Sequence, residues 1–129
     1  MSDTYYVKTF GGLEITNDNV TVNIVELFGK QLVNLLEVLL FHSEKPVQKD
    51  ELIDILWPES KNPSSALKFS IFRLRAELNE IDFFKDKEVI VTTRKGYILN
   101  PNLDWNIDFV ELEKAYKQIG LTSNLVTLL

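Results

Sequence analysis

The chain has 129 residues, 45% hydrophobic and 11% aromatic, which suits one domain with an apolar core and excludes intrinsic disorder. It contains no cysteine, so disulfides and thiolate metal sites are excluded, and a reducing, cytoplasmic setting fits. The first residues do not resemble a signal peptide. The most apolar run, 32–41, is short and interrupted by Asn34 and Glu37, so no membrane span is predicted.

Charge is distributed unevenly along the chain. The formal net charge of −5 at first argues against an anionic partner. Residues 57–100, however, hold eight Lys/Arg against six Asp/Glu, whereas the remainder holds six against thirteen. Because salt screens charges beyond roughly 8 Å, the local field of the basic segment matters more than the total.

Three short strands are predicted first, at 5–10, 13–16 and 20–24. They are rich in β-branched and aromatic residues, and the turn formers Gly11-Gly12 and Asn17-Asp18-Asn19 separate them. This pattern predicts an antiparallel meander ahead of the helices.

Two helices follow the meander. The leucine-rich segment 27–42 has apolar residues at helical spacing on most sides, which predicts a central helix closed by His42. A second helix is predicted over 49–57, with Pro58 as its stop and Gln48 as a poor N-cap.

Residues 61–79, KNPSSALKFSIFRLRAELN, predict a third helix with two different sides. Leu67, Ile71, Leu74 and Leu78 line one face for burial. We expect the Asn62 side chain to cap the first turn, and Pro63 suits the first helical position. The remaining surface combines cations with small and aromatic side chains: Lys61, Lys68, Arg73 and Arg75 with Ser65, Ala66, Phe69 and Phe72. Such a side fits duplex DNA, which offers phosphates and thymine methyls, although an ordinary amphipathic helix with a solvated basic face is an alternative.

A hairpin and a fourth helix complete the chain. Strands at 89–92 and 97–99 flank Thr93-Arg94-Lys95-Gly96, which places two cations at a turn. The fourth helix is predicted over 104–119, with Gly120 at its end. The element order predicts an α+β winged helix-turn-helix: a β-meander, three helices and a C-terminal hairpin wing. The recognition helix would span about 62–79 and the wing 92–97, within a domain at 1–103 followed by a helical extension at 104–129.

The motifs resemble those of a known family. FGGLEI, EKPVQKDELIDILWP, ALKFSIFRLRAEL and VTTRKGYIL, in this order, are similar to the OmpR/PhoB-type winged-helix DNA-binding domains. The chain looks most like their antibiotic-regulatory-protein (SARP) branch. IDFVELEKAY is similar to the opening of the helical-repeat domain that follows in that branch, so 104–129 is expected to be the start of such a domain.

The resemblance implies roles for individual residues. Arg73 matches the arginine that reaches base edges, and Phe69 stands where the family faces a thymine methyl. Arg75 matches a phosphate-contacting neighbour. Ser65, Ala66 and Ser70 match positions that contact the DNA backbone. The positions that match the wing are Thr93, Arg94 and Lys95. We expect Lys61 and Lys68 to contribute positive charge toward the phosphates. Phe72 and Ala66 depart from the usual residue types.

The resemblance also implies partners. The partner would be double-stranded DNA, bound by the effector domain of a bacterial transcription regulator. Family members often bind direct repeats in DNA as pairs of molecules, so a homodimer on DNA is expected. The loop 58–62 matches a loop that contacts RNA polymerase in some members.

Other functions receive less support from the sequence. His42 is the only histidine and there is no cysteine, so neither a nucleophilic dyad nor a metal site is predicted, and no cofactor motif is present. The main alternative is a winged helix that binds proteins, which the acidic body and the outward Phe69 and Phe72 favour. Burial of these two aromatics against the wing or the fourth helix is a further possibility.

Overall fold

The computed structural model of the chain describes residues 4–9 and 11–123, apart from the side chains of 110, 111, 115 and 120–123. It begins with three antiparallel strands, β1 (Thr4–Lys8), β2 (Glu14–Asn17) and β3 (Val20–Asn23), with β2 between the other two. Tyr5 and Val7 on β1 are buried, while Tyr6 between them is exposed, as expected for a sheet with one covered face. The predicted meander is confirmed with small shifts in the strand bounds.

The first predicted helix, 27–42, is interrupted in the structure. A single turn, α1 (Ile24–Leu27), is followed by a break at Phe28 and Gly29 and then by α2 (Lys30–Phe41). The Asn23 side chain caps α1 by accepting a hydrogen bond from the Glu26 amide at 3.3 Å. Phe28 is extended, which buries its ring in the core, and this burial outweighs the local preference for one continuous helix.

Two further helices follow, α3 (Lys49–Leu56) and α4 (Pro63–Asn79). Pro63 occupies the start of α4 as predicted. The expected cap by the Asn62 side chain was wrong: this side chain makes no capping hydrogen bond, and the Asn62 carbonyl accepts from the Ala66 amide at 3.2 Å instead. Leu67, Leu74 and Leu78 are buried against the core.

The hairpin consists of β4 (Ile90–Thr93) and β5 (Gly96–Leu99), paired antiparallel. Val47, between α2 and α3, pairs with Tyr97 on the other side of β5 through two backbone hydrogen bonds of 2.8 and 3.0 Å. Gly96 has φ +142°, and a Cβ there would lie 1.9 Å from the Val47 carbonyl oxygen. Only glycine therefore permits this close approach, which fixes the hairpin to the connection between α2 and α3.

The prediction of a helix from residue 104 was wrong. Asp104–Ile107 forms a strand, β6, which pairs parallel with β1 and completes a four-stranded sheet in the order β3-β2-β1-β6. The helix α5 (Phe109–Ser123) begins after it and continues past Gly120, where an end was predicted. Residues 124–129, the last part of the expected helical extension, lie outside the described residues.

One core joins these elements. It includes the leucines of α2, Leu52 of α3, Phe84 after α4, and Leu112 of α5. The predicted α+β order of meander, three main helices and C-terminal hairpin is confirmed. In the described residues, no helix has the length and apolar character needed to cross a bilayer.

Candidate nucleic-acid interface

The outer side of α4 carries both cations and apolar surface. Phe69 and Phe72 are 61% and 69% exposed, so their burial against the wing or α5 is excluded. Each residue of a helix is rotated by 100° from the one before it, and the exposed residues on the side away from the buried leucines are Ser65, Lys68, Phe69, Phe72, Arg73 and Ala76. The helix therefore offers an accessible surface in which two aromatic rings lie among positive charges.

Arg73 is held on this surface by two neighbours. Its Nη2 atom lies 2.9 Å from Oε1 of Glu77, one helical turn later, and its guanidinium lies 5.9 Å from the Phe69 ring centroid. The Arg73 side chain is about half exposed, at 49%. These contacts extend the guanidinium along the helix surface, where it can reach an external partner.

Arg75, two residues later, points to the hairpin. Its Nε and Nη2 atoms donate to the Ile90 carbonyl at 3.2 and 3.1 Å, and Nη2 also donates to Thr92 Oγ1 at 2.7 Å. The side chain is half-buried, and its guanidinium lies 6.0 Å from the Tyr97 ring. Arg75 thus connects α4 to β4, while its phosphate contact stays a prediction.

The hairpin tip is shaped by Thr93. Its Oγ1 atom accepts hydrogen bonds from the Lys95 and Gly96 amides at 3.1 and 3.2 Å. The Arg94 and Lys95 side chains are exposed beyond this turn. Thr93, expected to be a contact residue, therefore also organises the loop that presents the two cations.

Tyr97 joins the three parts of the site. Its buried ring has the Arg75 guanidinium 6.0 Å away and the Lys49 ammonium 5.9 Å away, while its backbone pairs with Val47. The start of α3, the middle of α4 and the hairpin are therefore linked at one aromatic side chain. This arrangement sets the position of the wing relative to α4.

The structure does not bring every predicted residue to the outer side. Lys61 is exposed in the loop 58–62 ahead of α4, and Ala66 is half-buried. Ser70 is only 8% exposed. It lines a small cavity with Gly29 and Leu32, at the beginning of α2. The Ser70 side chain is thus less accessible to DNA than the Ser65 side chain.

Sequence reasoning missed the residues that hold the two arginines. The Arg73–Glu77 ion pair has the i, i+4 spacing of a helix, so this signal was present in the sequence. The Arg75 contacts join residues 15 and 17 positions apart, and no local pattern indicates them. Within the part of the chain that is described, no group of three or more His, Asp or Glu side chains is arranged to hold a metal ion.

Comparisons with known proteins agree with this geometry. Residues 19–99 match the family model described as "Transcriptional regulatory protein, C terminal". The DNA-binding domain of Escherichia coli CadC is 28% identical, with a TM-score of 0.52 over 67% of this chain and 77% of that chain. No curated protein sequence matches the chain.

A second solved structure shares the fold. Mycobacterium tuberculosis EmbR, in complex with a low affinity phosphopeptide, is 19% identical, with a TM-score of 0.56 over 93% of this chain. The match spans only 35% of EmbR, and at this identity it shows the fold alone. The family model matches a family of DNA-binding domains, which confirms that the chain is not an enzyme. Because that match spans more than half of the chain, the chain belongs to the C-terminal domains of transcriptional regulatory proteins, the OmpR/PhoB-type DNA-binding domains.

Proposed function

We propose that this transcriptional-regulator domain binds duplex DNA sequence-specifically, with α4 in the major groove and the tip of the β4–β5 hairpin on the adjacent minor groove or backbone. The observation that carries the proposal is the outer side of α4, where Arg73 and two exposed phenylalanines lie together, on a helix that is joined to the hairpin through Arg75. The similarity to the CadC domain, which is a DNA-binding domain, supports the same function.

Arg73 is the proposed base reader. Its ion pair with Glu77 is solvent-exposed and worth about 0.3–0.5 kcal/mol, whereas a bidentate contact from arginine to a guanine edge contributes about 1–3 kcal/mol. Exchanging the ion pair for the guanine contact is therefore favourable.

Other exposed cations of α4, its preceding loop and the hairpin tip would bind phosphates. Lys61 and Lys68 are exposed before and on α4, and Arg94 and Lys95 are exposed at the hairpin tip. Ser65 is exposed on the same helix and can donate to a phosphate oxygen. These contacts would set orientation and affinity, and Arg73, Phe69 and Phe72 would read sequence.

Further partners follow from the resemblance and stay proposals. The loop 58–62 is exposed at every position, as a contact with RNA polymerase requires. Binding to direct repeats would bring two copies together as a homodimer on DNA. A regulator acting on bacterial genes would work in the cytoplasm.

The second candidate is a protein-binding winged helix. Phe69 and Phe72 favour it, because exposed aromatic side chains are enriched in protein interfaces. Salt dependence separates the two functions: DNA binding weakens steeply as salt rises, whereas an interface built on two aromatic rings does not.

Selection from a library of random duplexes by the pure chain, at two salt concentrations, tests the proposal. We expect enrichment of a defined sequence, and a decrease of about 1–3 kcal/mol in discrimination at one base pair in Arg73→Ala. Replacing Arg94 and Lys95 together by alanine should weaken binding to all sequences. It should also reduce the salt slope by roughly 0.9 for each phosphate that these side chains neutralise in the wild-type complex.

Lys8→Ala serves as the control, because this exposed lysine lies on β1. It should change neither the selected sequence nor the salt slope. A wild-type chain that enriches no sequence at either salt concentration would contradict the proposal, as would an Arg73→Ala variant with unchanged discrimination.

A further inference from the structure

A groove lies on the molecule away from the hairpin, between β3, α1 and the end of α4. Its volume is about 580 Å³, and the segment that follows α4 closes one side. Its apolar lining comes from three separate parts of the chain: Val20, Val22, Leu27, Phe28, Ile81 and Phe83. Phe28 and Ile81 are buried, so they form the inner part of the groove.

Two apolar side chains at this groove are more than half exposed to solvent. Val20 on β3 is 55% exposed and Leu27 on α1 is 59% exposed. Contiguous exposed apolar surface next to a concave site marks an interaction surface more often than isolated apolar residues do. Covering these side chains would remove apolar area from water and favour association.

The polar lining of the groove has one sign. Glu77, Glu80 and Asp82 line it, and no Lys or Arg is among its described lining residues. Three carboxylates repel phosphates, so this surface does not suit a nucleic acid. They attract an occupant that carries lysine or arginine beside its apolar side chains, because complementary charge raises the association rate and sets specificity.

We propose that this groove docks an amphipathic, positively charged peptide segment of a partner protein. Apolar side chains of the segment would cover Leu27 and Val20 and reach Phe28 and Ile81. Its cations would pair with Glu80 and Asp82 at the rim. A helix and a strand can both present such a pattern, and the groove is open along β3, an edge strand of the sheet.

The groove also shares a residue with the DNA-binding side of α4. Glu77 lines the groove and holds Arg73 through the 2.9 Å ion pair. A cation of the docked segment that pairs with Glu77 would release Arg73 toward DNA. This coupling rests on the proposed function. Since exposed ion pairs are weak, we expect the two ligands to strengthen each other by only about twofold.

The test uses a dye-labelled peptide of 14 residues and no DNA. In this peptide, pairs of leucines alternate with pairs of lysines, so that a helix carries the leucines on one face and the lysines on the other. A counterpart of the same pattern carries glutamate instead of lysine. Fluorescence anisotropy should show the lysine peptide binding to the chain and the glutamate peptide binding at least tenfold more weakly. Equal binding of both peptides, or binding of neither, would overturn the proposal.

Matched variants separate the groove from general attraction to an acidic protein. Leu27→Ser should weaken the lysine peptide at least fivefold, whereas Val25→Ser, at an exposed residue of the same turn outside the groove, should not. The double variant Glu80→Lys and Asp82→Lys should weaken it more than Glu44→Lys and Asp54→Lys, which change the charge equally elsewhere. All four altered acids are exposed, and circular dichroism verifies that each variant is folded.

Three further results would contradict the assignment. Equal weakening by the two charge-reversal variants would mean that general electrostatic attraction, and not the groove, accounts for the binding. An unchanged affinity in Leu27→Ser would mean that the peptide binds outside the groove. Concentration-dependent dimerisation of the unlabelled chain that Leu27→Ser abolishes would identify the occupant as a second copy instead. Because no DNA is present, failure of the groove leaves the DNA-binding proposal untouched.

Discussion

Arg73 and Arg75 are two residues apart on one helix and face different partners. A separation of two residues rotates their side chains by 200°, so Arg73 lies on the outer side and Arg75 lies against the hairpin. Arg73 pairs with the partly exposed carboxylate of Glu77, whereas Arg75 satisfies a backbone carbonyl. Two arginines at nearby positions thus differ in their contacts: Arg75 positions the hairpin, and Arg73 stays available for the proposed contact with a base.

Phe69 and Phe72 lead to a prediction about thymine methyl groups. Apolar side chains in the major groove contact the C5-methyl of thymine, and deoxyuridine lacks this group while pairing identically. Replacing the thymines of a selected site by deoxyuridine should weaken binding about two- to fourfold for each contacted methyl, on the scale of about 0.8 kcal/mol per buried carbon. Anisotropy titrations with both duplexes measure the difference.

Phe72→Ser supplies the matched variant. Because this ring is 69% exposed, the substitution should change the free energy of unfolding by less than about 0.5 kcal/mol. It should reduce the preference for thymine over deoxyuridine, and deoxyuridine placed outside the site should have no effect. Equal affinity of the wild-type chain for both duplexes would remove the phenylalanines from methyl recognition.

Glu37 leads to a prediction about pH and stability. It is 9% exposed within α2, and burial raises the pKa of its carboxyl from 4.5 to about 7. Between these values the folded chain binds more protons than the unfolded chain, so stability falls as pH rises from about 4.5 to 7. The full shift corresponds to about 3.4 kcal/mol above pH 7, and partial screening by solvent lowers the expected cost of the charge to about 2–3 kcal/mol.

Urea denaturation between pH 5 and pH 8 measures this effect. Glu37→Gln removes the ionisable group and should stabilise the chain at pH 8 more than at pH 5. Asp54→Asn, at an exposed acid on α3, should leave the pH dependence unchanged. A Glu37→Gln variant with the wild-type pH profile would show that Glu37 is solvated in the folded chain.

At the scale of elements, the hairpin depends on its contact with α4. The Arg75 fork donates to Ile90 and Thr92, and charged hydrogen bonds of this kind contribute about 1.5–3 kcal/mol. Arg75→Lys keeps the charge but removes the fork. We therefore expect faster amide hydrogen exchange at residues 90–93 and weaker DNA binding with an unchanged salt slope.

Arg73→Lys is the control for this variant, since the outer arginine does not contact the hairpin in the described structure. Its hairpin amides should exchange at the wild-type rate. Unchanged exchange in Arg75→Lys would mean that the hairpin holds its position without the fork. A reduced salt slope in Arg75→Ala, by roughly 0.9, would instead support the phosphate contact.

The sequence predicted elements whose signals are local. The leucine spacing and Pro63 placed α4 within one residue of its observed bounds, and Thr93 to Gly96 placed the hairpin. The strand at Asp104–Ile107 was missed because its conformation depends on pairing with β1, which starts a hundred residues earlier. The helical spacing of Phe109, Leu112 and Tyr116 was assigned correctly and extended too far toward the N-terminus.

The candidate site likewise has features that the sequence predicted and features that it did not. The exposed residues of α4 followed from helical geometry, and the exposure of Phe69 and Phe72 confirms their outward orientation. The burial of Ser70 also agrees with helical geometry, because Ser70 is three residues after Leu67 and four before Leu74, whereas the resemblance had assigned it to the DNA backbone. The roles of these residues toward DNA stay predictions.

At the scale of the molecule, opposite charges occupy different parts of the surface. Lys68, Arg73 and the hairpin cations are exposed on α4 and the wing, whereas Glu80 and Asp82 line the groove beyond the end of α4. The acidic remainder lowers affinity for arbitrary DNA, so discrimination depends on the local face. One small domain thereby carries a surface suited to phosphates and another that repels them.

Mapping the bound surface by amide chemical shifts during titration with a selected duplex tests the central claim most directly. The account predicts the largest changes at residues 61–76 and 93–95 in the same titration, with little change at the groove residues Val20 and Ile81. Changes confined to α4 or to the hairpin alone, or a bound surface elsewhere on the chain, would contradict joint presentation of the two elements to one duplex.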